Sequence, residues 1–395
     1  MTTKNVIDKA MWESWLWQQQ NALRSLGQVR KIFPLMSKYI FDDAEKWLKK
    51  GFRFLITPYV LSLVERDADG NPKADDPVWK QVFPLAEASV GGDVDVPGAA
   101  GPDEYSAACE NWEDPAEMIS PICQFKYDNR AIIFTGDYCL GYCNYCFRSL
   151  HSESETEKHG GKLFWQKTLE AIRKRPYLEE IILSGGDPLV LDNYSLGNML
   201  ADLRSIGSIK AIRIHTRAWF HNPFRIDREF CGLLKKYDVT EMGVHIIHPR
   251  EITVEFKEAV QRVRDSGAKT MLMADIPLVK GINDNEEVLR RLFMDLYLNG
   301  VKPYYLSHNM PNIPAAGLQR TTVKRGLELM NSLKRKISNP AMPEYIITHA
   351  TGKKTVPESS LGGPDFVYSK GKNGWPTVKF LNWKGDWVEY LDGKA

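Results

Sequence analysis

The chain has 395 residues, 43% of them hydrophobic and 26% charged, with 52 Lys and Arg against 50 Asp and Glu. That length and balance suit a globular protein of about two to three domains with a full core, and exclude intrinsic disorder and a collagen-like fibre. A net charge of only +2 gives no global field for attracting DNA or an anionic membrane, so neither nucleic acid nor a membrane is an expected partner.

The opening segment, MTTKNVIDKAMWESWLWQQQ, mixes polar and charged residues into its apolar positions and lacks the continuous apolar run of a secretory signal. Apolar stretches such as LITPYVLSLV, interrupted by Pro58, are far shorter than a bilayer span. The expected location is the cytoplasm. Residues 1–125 are expected to form a helical and loop extension. Trp12, Trp15, Leu16 and Trp17 share one apolar face, and helical stretches are expected over Ile32–Ile40 and Asp42–Lys50. From 66 to 118 the chain is rich in Asp, Gly and Pro and reads as loop, suiting a lid, a linker or an oligomer arm.

Over 126–340 a different rhythm begins. Short apolar runs that suit buried parallel strands alternate with amphipathic helical stretches: AIIFTG, EIILSGG, AIRIHT, MGVHII, MLMADIPLV and PYYLSH. Six βα units of this kind make an α/β fold, either a full or partial barrel or an open doubly wound sheet, with reactive groups at the strand C-terminal ends. Residues 341–395 form a C-terminal segment, in which EYIITHATGKKTVPE reads as strand and loop. TVKFLNWKGDWVEYL reads as a hairpin with its turn near Lys384-Gly385.

Six cysteines are too few for a disulfide framework, and three of them, Cys139, Cys143 and Cys146, form C-x3-C-x2-C directly after the first strand. Three thiolates on one short loop suit three irons of a [4Fe-4S] cube, leaving the fourth iron open to a small molecule. Structural zinc usually takes four protein ligands; no second cysteine pair follows, and His151 would be the nearest fourth ligand for that alternative. With Tyr145 before the last cysteine, GDYCLGYCNYCFR resembles the motif of the radical S-adenosylmethionine (SAM) superfamily. The resemblance implies a partial (β/α)6 barrel in which a cluster-bound SAM is cleaved to a 5′-deoxyadenosyl radical, with Tyr145 beside the adenine. Ser184-Gly185-Gly186-Asp187-Pro188 ends the second strand with two glycines that permit close backbone approach and a carboxylate suited to an ammonium. It is similar to the superfamily motif that contacts the SAM amino group.

Over most of its length the chain resembles the lysine 2,3-aminomutase family, in KYDNRAIIFTGDYCLGYCNYCFR, LSGGDPLVL, RIHTRA, HIIHPREIT, LVKGINDN and KPYYL. The family moves an amino group between adjacent carbons on pyridoxal phosphate (PLP). Carried over by position, Arg148 would hold the substrate carboxylate and Lys126 would replace a phosphate-binding arginine. Arg217 would contact phosphate or SAM, His245 and His248 would lie near SAM, and Asp275 near the ribose. The family's Schiff-base lysine matches Lys354 best, with Lys353 as the alternative, in a loop that has lost a proline and part of a glycine run. The resemblance also implies a flavodoxin- or ferredoxin-like reductant and a homo-oligomer.

Lysine-specific members place two carboxylates by the distal ammonium. Here His349 takes one position, and Ser307-His308-Asn309-Met310 supplies no acid at the other. A buried cation without a counter-charge is costly. The expected substrate is therefore a free amino acid other than lysine; the alternative is a PLP-independent radical SAM enzyme on the same scaffold.

Overall fold

The computed structural model describes residues 8–49, 51–84, 117–146, 162–310, 319–349, 352–356, 366–370, 376–381 and 386–391. Ten strands form one mixed sheet in sequence order: β1 (Met118–Ser120), β2 (Cys123–Phe125), β3 (Arg130–Phe134), β4 (Glu180–Ser184), β5 (Ala211–Thr216), β6 (Glu241–Val244), β7 (Met271–Leu278), β8 (Lys302–His308), β9 (Glu344–His349) and β10 (Gly352–Thr355). β3 to β9 run parallel, while β1, β2 and β10 pair antiparallel at the two ends. The six apolar runs each became a strand, and β9 adds a seventh parallel strand to the expected six. The sheet does not close, since β1 and β10 are its edges. Its two ends nevertheless approach each other: the Lys353 N–H on β10 donates to Tyr127 Oη, in the turn between β2 and β3, at 2.9 Å.

Strand alternation sorts the side chains. Ile181 and Leu183 on β4, and Ile212 and Ile214 on β5, are fully buried in the hydrophobic core. Their neighbours Glu180, Arg213 and His215 point to the other face. There Arg213 pairs with Glu180 at 3.1 Å and with Glu241 of β6 at 2.7 Å. The crossover helices start where the sequence supplies caps. Asp192 opens Asn193–Arg204, Asp227 opens Arg228–Lys236, Thr253 opens Val254–Asp265 and Asn285 opens Glu286–Leu298.

The N-terminal stretch differs from expectation. Helices run Leu26–Ile32 and Lys38–Lys49, so the expected Ile32–Ile40 helix is broken. Pro34 disfavours helical backbone in the residue before it, and Phe33 adopts φ −121°, ψ 67°. Val29, Phe33, Phe41, Tyr59 and Trp79 join the barrel residues in one core cluster. The C-terminal strands pair as expected, β12 (Pro376–Leu381) antiparallel to β13 (Trp387–Leu391), while the expected turn at Lys384-Gly385 lies outside the described residues; β11 (Phe366–Lys370) completes a separate three-stranded sheet. No helix among the described residues is long and apolar enough to cross a membrane.

Candidate active site

The loop after β3 carries the three cysteines and is gripped from two sides. From the barrel, Gly186 N–H donates to Gly136 O at 2.6 Å and Asp187 N–H to Tyr138 O at 2.9 Å. Gly185 has φ +108°, and a Cβ on Gly186 would fall 2.3 Å from Tyr138 O. The two glycines therefore serve close backbone approach, as expected, but the partner they approach is the cysteine loop itself. From the N-terminal stretch, Gln19 Nε2 donates to Leu140 O at 2.9 Å. The Asn144 side chain donates to Lys80 O and Phe83 O, and its N–H to Gln81 O. Arg53 lies over the rings of Tyr138 and Tyr142. Gln19, Arg53, Lys80, Gln81 and Phe83 thus grip this loop, and the last three fall in the 66–118 stretch that the sequence had left among lid, linker and oligomer arm.

Cys139, Cys143 and Cys146 are half-buried free thiols. Burial pushes Cys139 well above the usual thiol range, and the charges of Asp187, Cys146 and Cys143 push it further. Burial also raises Cys143, opposed by the guanidinium of Arg217. Arg217 Nη1 donates to Cys143 Sγ at 2.9 Å, and Nη2 to Gln81 Oε1 and, at 3.3 Å, to Glu251 Oε2. Arg217 was expected to contact phosphate or SAM; among the described residues its guanidinium meets the cysteine loop, Gln81 and Glu251. His221, Glu251 and Gln81 were not anticipated. His221 Nε2 lies 3.4 Å from Cys143 Sγ, and burial drives this imidazole well below its ordinary pKa. Glu251, fully buried, is raised by burial despite Arg217 and Gln81. Glu251 sits inside the recognised HIIHPREIT segment and His221 lies four residues after Arg217, so a search for buried ionisable groups near the motifs would have reached both.

Asp187 has its carboxylate largely engaged. Oδ1 accepts from Leu189 N–H at 2.9 Å and Thr216 Oγ1 at 2.7 Å, and Oδ2 from Arg217 N–H at 2.9 Å. Of roughly four lone-pair positions on a carboxylate, three are taken. Tyr145 stacks under Arg217, and its Oη is buried with no hydrogen-bond partner among the described residues. His245 projects from the end of β6 with its ring 5.6 Å from that of His215, and burial first, then His215, lowers it to about 4. His248 is placed differently, since its Nδ1 accepts from Arg250 N–H and caps the turn Pro249–Glu251.

A second group of residues gathers on β7, β8 and β10. Lys353 Nζ lies 3.0 Å from Asp275 Oδ2 and 4.2 Å from the Tyr305 ring centroid. Ser307 Oγ donates to Asp275 Oδ1 at 2.6 Å. Burial would raise Asp275, but Lys353, His245 and Ser307 together bring it down to about 2. Lys353 and the expected lysine, Lys354, are both exposed, but Lys354 pairs one register position along, so alternation turns it to the other face of β10. Of the two candidates, it is the Lys353 amine that meets Asp275 and Tyr305. Lys126 Nζ stands 3.8 Å from Glu117, beside Tyr127, and the Arg130 guanidinium lies over the Tyr127 ring. Arg148 and His151 lie outside the described residues, as does the His349 side chain.

Residues 133–293 match the Radical SAM superfamily. The L-lysine 2,3-aminomutase of Fusobacterium nucleatum is 30% identical over 98% of this chain and 84% of its own length. A putative L-lysine 2,3-aminomutase of Aquifex aeolicus is 30% identical over 97% and 96%. The chain belongs to the lysine 2,3-aminomutase family of radical SAM enzymes. A glutamate 2,3-aminomutase of Clostridioides difficile, 28% identical over 97% of this chain and 84% of its own, belongs among the relatives too. This aminomutase-family chain is thus a radical SAM isomerase, and membership implies a [4Fe-4S] cluster and SAM. The donor set fits such a cube: three thiols on one loop, each close enough to act on Cys139's proton affinity, with a cation against Cys143. Among the described residues no group of three or more His, Cys, Asp or Glu converges to hold a single metal ion; a cube takes one thiolate on each of three irons and does not require that convergence.

Proposed function

We propose that the chain is a PLP-dependent 2,3-aminomutase of a free amino acid other than lysine. In this reading Cys139, Cys143 and Cys146 would hold three irons of the cluster, and residues at the ends of β4 to β6 would bind SAM, which supplies the abstracting radical. When bound, the cluster and SAM supply hydrogen abstraction by one-electron chemistry, and PLP supplies a carrier for the migrating nitrogen. The placement of Lys353 carries the proposal. Its amine sits at the barrel mouth on an aromatic face, and its amide is tied to Tyr127 in the KYDNR segment that also contains Lys126 and Arg130.

Each residue has a distinct task. Lys353 holds PLP through its amine, in place of Lys354. Asp275 and Ser307 fix where that amine lies. Lys126 and Arg130 supply cations for the phosphate, Lys126 acting as a point charge. Tyr145, whose Oη has no hydrogen-bond partner among the described residues, offers a ring and a polar atom to the adenine side of SAM, and the Asp187 lone pair that no described residue takes would accept an ammonium. His245, held neutral at physiological pH, presents an uncharged imidazole to the interior. Arg148 takes the substrate carboxylate, a role suited to a planar fork.

The side chains at the distal positions support a substrate without a distal cation. His308 is buried with its Nε2 3.1 Å from Thr321 O. Asn309 is committed to Gln319 O and Met310 N–H. An anaerobic ultraviolet–visible spectrum, with iron, sulfide and PLP quantified on the same sample, tests the cofactor set. Iron and sulfide in [4Fe-4S] ratio with stoichiometric PLP is the expected result. Cluster without PLP, in protein supplied with excess PLP, would favour the PLP-independent enzyme, with Lys353 remaining a charged amine on Asp275.

A further inference from the structure

The hydrogen bond from Arg217 to Cys143 joins residues 74 apart in sequence and is held by more contacts than a chance encounter needs. The guanidinium carbon lies over two aromatic rings, 4.5 Å from the Phe220 centroid and 4.9 Å from that of Tyr145. Its far nitrogen is anchored to Glu251, itself fully buried and held by Gln81 Nε2 at 3.0 Å and the Ile247 N–H. Gln81 belongs to the N-terminal stretch that clamps the loop. A buried ion pair of this kind adds little net stability on average, while removing one partner is strongly unfavourable. It does fix the direction of one N–H and the distance of one positive charge from a thiolate sulfur.

We infer that Arg217 is a positioning residue that sets the electron affinity of the cluster through its N–H···S bond to Cys143, with Glu251 setting the net charge delivered. The inference rests on Cys143 being a cluster ligand. Cluster potentials respond to net charge, to hydrogen bonds on the sulfurs and to solvent exposure. Reduction adds one electron, donated by an external low-potential reductant, and no bond to the protein forms or breaks. The added negative charge is better tolerated when a donor and a cation face the sulfur. Arg217 therefore favours the reduced state, and Glu251, by opposing that cation, restrains the effect.

The two arms of the pair should move the potential in opposite directions. The full chain, reconstituted anaerobically without SAM, is titrated with dithionite while the reduced cluster is followed by electron paramagnetic resonance. Arg217→Met is expected to keep iron and sulfide yet weaken the one-electron equilibrium at least tenfold, about 59 mV more negative. Glu251→Gln is expected to shift it the other way. Full cluster content with an unchanged potential in Arg217→Met overturns the inference, as does a shift of both variants in one direction. If Arg217→Met assembles no cluster, Glu251→Gln decides alone, and an unchanged or more negative potential there refutes it. Cys143→Ala is measured alongside: a full cluster in that variant would overturn the ligand assignment itself, an outcome separable from failure of the Arg217 inference.

Discussion

Replacing Asp187 should damage the fold of the cysteine loop before it damages ligand binding. The carboxylate is 6% exposed and accepts from Leu189 N–H, Thr216 Oγ1 and Arg217 N–H, joining the ends of β4 and β5. Its own N–H donates to Tyr138 O in the loop. Asp187→Ala leaves three buried donors without an acceptor. Each such orphan costs about 1–3 kcal/mol, and burial of the lost charge returns part of that, so a net loss of about 3–5 kcal/mol is expected. That is a large fraction of the roughly 5–15 kcal/mol that holds a typical domain together. Asp187→Asn keeps one oxygen for two of the donors and sets an amide against the third, so about 1–3 kcal/mol is expected. Urea unfolding followed by circular dichroism, with iron content measured on the same preparations, should rank wild type above Asn above Ala in both. An Ala variant of wild-type stability and full iron content, impaired only in SAM affinity, would show that the carboxylate faces the ligand and does not hold the strand ends.

Borohydride reduction of the PLP-loaded protein should attach PLP to the peptide bearing Lys353 and Lys354; Lys353→Ala should abolish the adduct and Lys354→Ala should keep it, the reverse refuting the assignment from strand alternation. His245 and His248 are both lowered from 6.5 to about 4. The unfolded chain therefore binds more protons across that window, so their stabilisation is complete above about pH 6.5 and is lost as pH falls toward 4. Full protonation costs on the order of 3 kcal/mol for each. The urea midpoint should fall between pH 7 and pH 5 with a shallower slope in His248→Gln, and an equal slope in that variant would contradict the placement. Gly186→Ala would press a Cβ to 2.3 Å from Tyr138 O, whereas a Cβ on Gly207 meets nothing within 4 Å. The first substitution should lower iron content severalfold and the second should leave it unchanged, as read by iron analysis.

The barrel was legible because its strands are apolar runs of the right length separated by capped amphipathic helices, a signal carried by neighbouring residues. The cysteine loop was legible for the same reason, its spacing lying within eight residues. What escaped depends on register and long-range contact. The choice between Lys353 and Lys354 turns on which face of β10 meets the interior, which no local pattern sets once the glycine run is shortened. Arg217 was read from its place at a strand end, but its partners Cys143, Gln81 and Glu251 come from three separate segments brought together only by folding. The clamp on the loop likewise uses Gln19, Arg53 and Lys80, polar residues whose sequence context looks like ordinary surface. The Ile32–Ile40 error was local and avoidable, because Pro34 stands inside the assigned helix.

The substrate class can be tested in one competition. The reconstituted enzyme, with SAM, PLP and dithionite, is given an equimolar mixture of lysine and amino acids with neutral or anionic side chains, and the β-amino acids formed are separated and quantified. A β-amino acid derived from a neutral or anionic member, exceeding β-lysine, is the result expected from a site whose His308 and Asn309 are committed to backbone groups. β-Lysine as the main product would contradict the specificity, and 5′-deoxyadenosine formed with no β-amino acid from any member would contradict the aminomutase reading itself.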